Sequence, residues 1–213
     1  LKTTVDVTVN ATTVSGTAAE LTKVYVTDKF NFTALGNENI VIDGTTTTTQ
    51  LDTIANATTG KVTATLDAGT DITDTEVGKL THVNGTTDVI SLTSTEVTAD
   101  ATALVALAAK VITADATAFA GVTAITEATA NIGTNGAAVV SALGIAGNDA
   151  AVEITGTISA SSADAIADAT SGIVTAQVTA GTAAALNAAL VDSGSQVNAL
   201  TLTLTDTTVK ASD

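Results

Sequence analysis

Two textures alternate along the chain. In one, Val, Ile or Leu stand at every second position among Thr; in the other, Ala dominates. Period-two alternation marks a strand with one covered face, whereas Ala is the strongest helix former. The clearest strand–helix pairs occupy residues 89–110, 151–172 and 173–193. In the first, 89–93 reads as strand, Thr98 or Asp100 as N-cap and 101–110 as helix. In the second, 152–158 is strand, Ser159, Ser161 or Ser162 the cap and 163–169 helix; in the third, 173–178 is strand, Thr179 the cap and 183–190 helix. Ser and Thr suit the cap because the hydroxyl accepts from an otherwise unpaired helical N–H. Weaker copies couple 5–9 with a helix at 16–23, 40–42 with 50–55, and 62–66 with 74–80. Further helices are predicted within 114–129 and at 137–143, and a last strand at 200–204. The segment 44–50, with five consecutive Thr, reads as a loop.

The predicted strands recur about every 22 residues, within the range of solenoids whose coil is one strand and one short helix. The expected fold is therefore α/β and β-dominated: a single elongated solenoid-like repeat domain spanning 1–213, with a stacked parallel sheet. An all-β sandwich of pilin type is the alternative, and it would require the Ala-rich stretches to be strands. At the N-terminal end Val5, Val7 and Val9 alternate with polar residues, and at the C-terminal end Leu200, Leu202 and Leu204 alternate with Thr. Such edge strands are candidate self-assembly elements, because an unpaired edge offers its backbone to another chain.

Composition narrows the function. Of 213 residues 46 are Thr and 41 Ala, and Cys, Met, Pro, Trp and Arg are absent. So few bulky side chains suit a thin core repeated many times. With 14% charged residues and abundant β-branched ones, disorder is not expected. The net charge of −15 and seven scattered Lys exclude a nucleic-acid partner, which needs cations on the phosphates. The same charge opposes an anionic membrane surface, and no apolar stretch is long enough for membrane insertion. The chain begins at Leu1 and lacks readily oxidised side chains, which points to an extracellular or cell-surface location.

Candidate chemistry is sparse. His82, the sole histidine, sits beside Asn84-Gly85 with no G-x-S-x-G elbow, and reads as a solvated loop residue. No catalytic residue and no organic cofactor is expected, since a sugar-cleaving kit on a β-solenoid needs more cationic and aromatic groups than this chain has. Asp67, Asp71, Asp74 and Glu76 form an acidic cluster that could take calcium, although its spacing matches no calcium loop. Asn10, Asn31, Asn56 and Asn84 open Asn-x-Thr sequons and are glycosylation candidates. Tyr25, Phe30 and Phe32 are the only aromatic group that could meet a surface glycan.

The Ala/Thr/Val/Gly/Asp composition, the missing Cys and Trp, and runs such as Val97-Thr98-Ala99-Asp100-Ala101-Thr102-Ala103-Leu104 resemble the low-complexity repeats of prokaryotic surface-layer proteins, giant adhesins and secreted filament proteins. The resemblance implies a non-catalytic exported structural role, with copies of the chain or further repeats of it as partners. A carbohydrate- or host-surface-binding module is the alternative.

Overall fold

The computed structural model describes residues 7–67, 72–92, 97–110, 119, 121–191 and 197–209. The fold is mixed α/β with parallel sheets, and the chain divides into two compact units, residues 1–95 with 106–121 and residues 96–105 with 122–213.

The first unit begins with β1 (Val7–Thr8), β2 (Thr13–Thr17) and α1 (Ala18–Thr22). A π-helical turn Lys23–Thr27 and a 3-10 turn Lys29–Asn31 follow, then β3 (Phe32–Thr33). β4 (Asn39–Thr46), α2 (Thr48–Ala55), β5 (Val62–Leu66), α3 (Asp74–Gly78) and β6 (Val89–Leu92) complete the series. Its main sheet runs β2-β4-β5-β6, every pair parallel and in chain order, while β1 and β3 form a separate parallel ribbon. The core is built from alternate strand positions. Ile40 and Ile42 of β4 and Val62, Ala64 and Leu66 of β5 are buried, and Leu21, Leu51 and Ile54 come down on them from the helices. Each fully buried Leu or Ile is worth roughly 1.5–3 kcal/mol.

The second unit comprises β7 (Val97–Asp100), the start of α4 (Ala101–Ala109), β8 (Val122–Ala128), α5 (Ala137–Ala146), β9 (Ala151–Ile158), α6 (Ala160–Asp168), β10 (Val174–Val178), α7 (Ala183–Ala189) and β11 (Ala199–Thr201). Its parallel sheet runs β7-β8-β9-β10-β11, again in chain order. Helices α5, α6 and α7 pack in succession. The small Ala side chains permit this, and Ala142, Ala146 and Ala163 are fully or almost fully buried.

Five helices begin after a Thr or Ser cap. The hydroxyls of Thr17, Thr47, Thr73, Ser159 and Thr182 each accept from the backbone N–H three residues on, and Glu20 and Gln50 return the bond to complete capping boxes.

Several expectations are corrected. Thr182, not Thr179, caps α7; the Thr179 hydroxyl donates to the Ile158 carbonyl, 3.0 Å away. Thr98 lies in β7, a strand not anticipated, while Asp100 ends that strand and stands directly before α4. The helix expected within 114–129 is, from Val122, strand β8, because Val122, Ile125 and Thr126 are β-branched and the first two fill the sheet core. Residues 111–118 lie outside the described residues. The expected loop at 44–50 divides between the end of β4 and the start of α2. Gly16 belongs to β2, ahead of its helix. The Ala-rich stretches of α4 to α7 are helical, so the requirement of the sandwich alternative is not met.

Candidate functional site

Among the described residues one hydrogen-bond device occurs twice. Residues 39–66 and 151–178 align at a constant offset and are identical at 12 of 28 positions. Both stretches run strand, capped helix, Thr-[Thr/Ser]-Gly turn, strand. In each, a glycine with positive φ (Gly44, Gly156) sits where the first strand slips register against the next. In the turn, Thr58 donates to the Glu38 carbonyl at 2.7 Å and its hydroxyl accepts from Gly60 N–H; Thr170 donates to the Ala150 carbonyl at 2.7 Å and accepts from Gly172 N–H. Thr59 and Ser171 bond through their N–H to the carbonyls of Gly36 and Asn148. A Cβ on Gly60 would stand 2.1 Å from the Glu38 oxygen, and one on Gly172 2.4 Å from that of Ala150, so only glycine fits. Asp52 in α2 and Asp164 in α6 are also equivalent, accepting from the N–H groups of His82 and Val191. Sequence reading missed this pairing, which self-comparison at that offset would have revealed.

Carboxylates and amides tie segments distant in sequence elsewhere. Asp88 is buried and accepts from Val62 N–H and Asn84 N–H, both at 2.7 Å. Asn39 accepts from Lys61 N–H, and Asn198 from Val174 N–H, at 3.0 Å each. Glu127, buried, gathers the N–H and hydroxyl of Thr102 and the side chain of Asn131. Burial pushes its carboxyl up, but these donors outweigh burial and hold it below the usual range. These bonds satisfy backbone groups that would otherwise be orphaned at the starts of β5 and β10, in the first turn of α4 and in the loop at Asn84.

Tyr25 and Glu38 form an unusual buried pair. Glu38 is 1% exposed, and its Oε2 accepts from the Tyr25 hydroxyl at 3.1 Å and from Gly36 N–H at 2.9 Å. Its Oε1 has no hydrogen-bond partner. Burial raises the carboxyl, and the backbone N–H donors with the Tyr25 hydroxyl bring it down below its ordinary value; burial first and the Glu38 charge second push the Tyr25 hydroxyl well up. At the equivalent position of the second module stands Ala150, equally buried.

His82 is exposed, and its Nδ1 lies 2.9 Å from Asp52 Oδ2, with the Thr81 hydroxyl 3.0 Å from the same nitrogen. A nucleophile served by this base would have to sit on Nε2, as in a Ser-His-Asp triad; Thr81 instead sits on the Asp52 side. Burial raises the Asp52 carboxyl and the backbone and ring of His82 more than offset it, so it stands below its usual value.

Among the described residues no three acidic or histidine side chains gather around a point that could hold a metal. Of the calcium candidates, Glu76 is engaged by Lys79 and by the Thr48 hydroxyl, which lower its carboxyl. Asp74 lies in the first turn of α3 and Asp67 just after β5, while Asp71 lies outside the described residues. The sequon residues Asn10, Asn56 and Asn84 are exposed and Asn31 half-buried. The Thr58 hydroxyl of the Asn56 sequon is consumed in the turn above, and the Asn84 side chain accepts from Thr86 of its own sequon. The aromatics are not gathered on one face: Tyr25 is core, Phe32 half-buried and Phe30 75% exposed.

The candidate assembly residues have mixed places. Val5 lies outside the described residues. Val7 is in β1, paired with Phe32, and Val9 N–H reaches the Thr33 carbonyl, so this strand already has an internal partner. Leu200 is in β11 at the open edge of the second sheet. Leu202 and Leu204 are exposed and, with Ala183, Leu186, Asn187 and Leu190, line a 260 Å³ apolar groove. No helix among the described residues is long and apolar enough to cross a membrane. No protein family, curated protein or solved structure matches this chain.

Proposed function

We propose that this chain is a non-catalytic extracellular structural protein, a building block of a filament or surface layer or a stalk segment of a larger adhesin. Each unit is a short run of solenoid in this reading, one coil being a strand, a capped helix and a return turn. The observation that carries it is the chain-order parallel stacking of strands, locked coil to coil by the twice-used Thr-[Thr/Ser]-Gly turn. Coils of this kind bury their faces against neighbours, so stability comes from repetition and a terminal coil favours another one beside it. Two further features support assembly over catalysis. Asp52, Asp88, Glu127 and His82 are spent on backbone and side-chain ties within the fold, and most exposed large apolar residues fall within 7–30 or 191–209.

Electron microscopy of the purified chain across a concentration series, with and without calcium, tests the proposal. Ordered fibres or lattices are the expected outcome. Particles that remain monomeric at every concentration would remove self-assembly, and with it the filament and surface-layer versions.

A further inference from the structure

Resting on that structural reading, we infer that copies of this chain join head to tail, the Lys23–Phe30 segment of one copy seating in the Leu186–Leu204 groove of the next. The two surfaces pair an exposed apolar ring with an apolar groove, and lysines with carboxylates.

The donor surface is the π-helical turn Lys23–Thr27 with the 3-10 turn after it. A π-turn is rare and concentrates at functional positions. Here it presents Val26, 48% exposed, and Phe30, 75% exposed, flanked by exposed Lys23 and Lys29. Neither lysine makes an ion pair among the described residues. The segment is anchored from beneath by Tyr25, whose hydroxyl is held by Glu38. A large apolar ring standing in water on an anchored turn loses little freedom on docking.

The acceptor surface lies in the second unit. α5 packs on α6 and α6 on α7, and Leu186 and Asn187 of α7, with Leu190 just after it, face Leu202 and Leu204 across the 260 Å³ groove. That volume suits one bulky apolar side chain. Carboxylates border it: Asp206 accepts from the N–H of Ala183, which lines the groove, and Asp164 from the N–H of Val191, next to Leu190. The second unit holds only one Lys, Lys210, whereas the first holds the other six. The groove is therefore apolar with an acidic margin, and the turn apolar with two lysines against the single Asp28, a net positive flank. Because the two surfaces differ, the contact is heterologous, so each junction leaves one unused turn and one unused groove for further copies, in a ring or an open chain.

Sedimentation velocity of the full chain over a concentration series reads this directly. Wild-type protein is expected to grow into a ladder of oligomers, and Phe30→Ala or Leu204→Asp each to weaken association by about tenfold or more. Mixing those two variants restores one intact junction and is expected to give a heterodimer that grows no further. Asn187→Lys, at an exposed groove position, should also weaken association, and adding Lys29→Glu should recover it. Circular dichroism confirms that each variant stays folded. If wild-type oligomers form and ignore all these substitutions, the groove contact is wrong while assembly through sheet edges stands. If the wild type never associates, or compacts independently of concentration, both the contact and the self-assembling reading fall.

Discussion

A carboxylate buried to 1% exposure has to be held by donors, and Glu38 has the Tyr25 hydroxyl and Gly36 N–H on one oxygen while the other is unpartnered. That makes the pair a hinge for pH. The folded Glu38 carboxyl lies below its ordinary 4.5, so its contribution is present above that value and is lost as pH falls through the lower folded one. Tyr25 is shifted the other way. Its folded hydroxyl stands above the ordinary 10.0, so its contribution is full below pH 10.0 and drains away as pH rises further. Tyr25→Phe is expected to cost about 1–3 kcal/mol in urea unfolding, because a buried carboxylate loses a donor, and to move acid unfolding to higher pH. The double variant Tyr25→Phe with Glu38→Ala should be more stable than Tyr25→Phe alone, since the second module already holds Ala150 at this place. Tyr25 is the only tyrosine, so tyrosinate absorbance follows its ionisation without ambiguity. A double variant no better than the single one would show that the pair is not coupled in this way.

At the scale of elements, the Thr-[Thr/Ser]-Gly turn sets the pitch from one strand to the next, and its glycines have no room for a methyl group. Gly60→Ala and Gly172→Ala are each expected to destabilise by about 3 kcal/mol, the upper range for an overpacked site backed by rigid backbone. Gly144, inside α5, has open space where a Cβ would stand, with nothing within 4 Å, and Gly144→Ala is expected to stabilise by about 0.5–1 kcal/mol. Denaturant midpoints of the three variants check both signs together. This turn also marks how far the sequence could be read. Strands such as Val62–Leu66 and Val174–Val178 announced themselves because alternate apolar residues meet one covered face, and α6 and α7 did so through Ala density after a capping hydroxyl. β7 and β8 did not, because Val-Thr-Ala segments carry both β-branched and helix-favouring residues, and only sheet neighbours decide between them. The groove and the exposed Phe30 were illegible for a different reason. Leu202 and Leu204 look like ordinary alternating strand residues until β11 stops at Thr201 and leaves them beside α7.

Across the whole molecule, charge is unevenly divided. The unit of residues 1–95 and 106–121 carries six Lys against 12 Asp and Glu, and the other carries one against ten. Self-repulsion of this kind opposes compaction, and it acts over about 30 Å at 0.01 M salt but only about 8 Å at 0.15 M. Sodium chloride over that range is therefore expected to raise the melting midpoint, a gain of about 1 kcal/mol corresponding to about 4–8 °C for units of this size. The effect should be larger in the second unit, which has scarcely a cation to offset its carboxylates. The two are separable by optics. Every aromatic residue, Tyr25, Phe30, Phe32 and Phe119, belongs to the first unit, so tyrosine fluorescence follows that unit alone while far-UV circular dichroism follows both. Midpoints from the two signals should differ, and the part of the dichroism transition that fluorescence does not share should climb more steeply with salt. A midpoint that falls with salt would mean that short-range ties such as the Lys79–Glu76 and His82–Asp52 pairs, weakened by screening, outweigh the repulsion. Equal slopes from both signals would mean that the charge imbalance between the units carries no energetic weight.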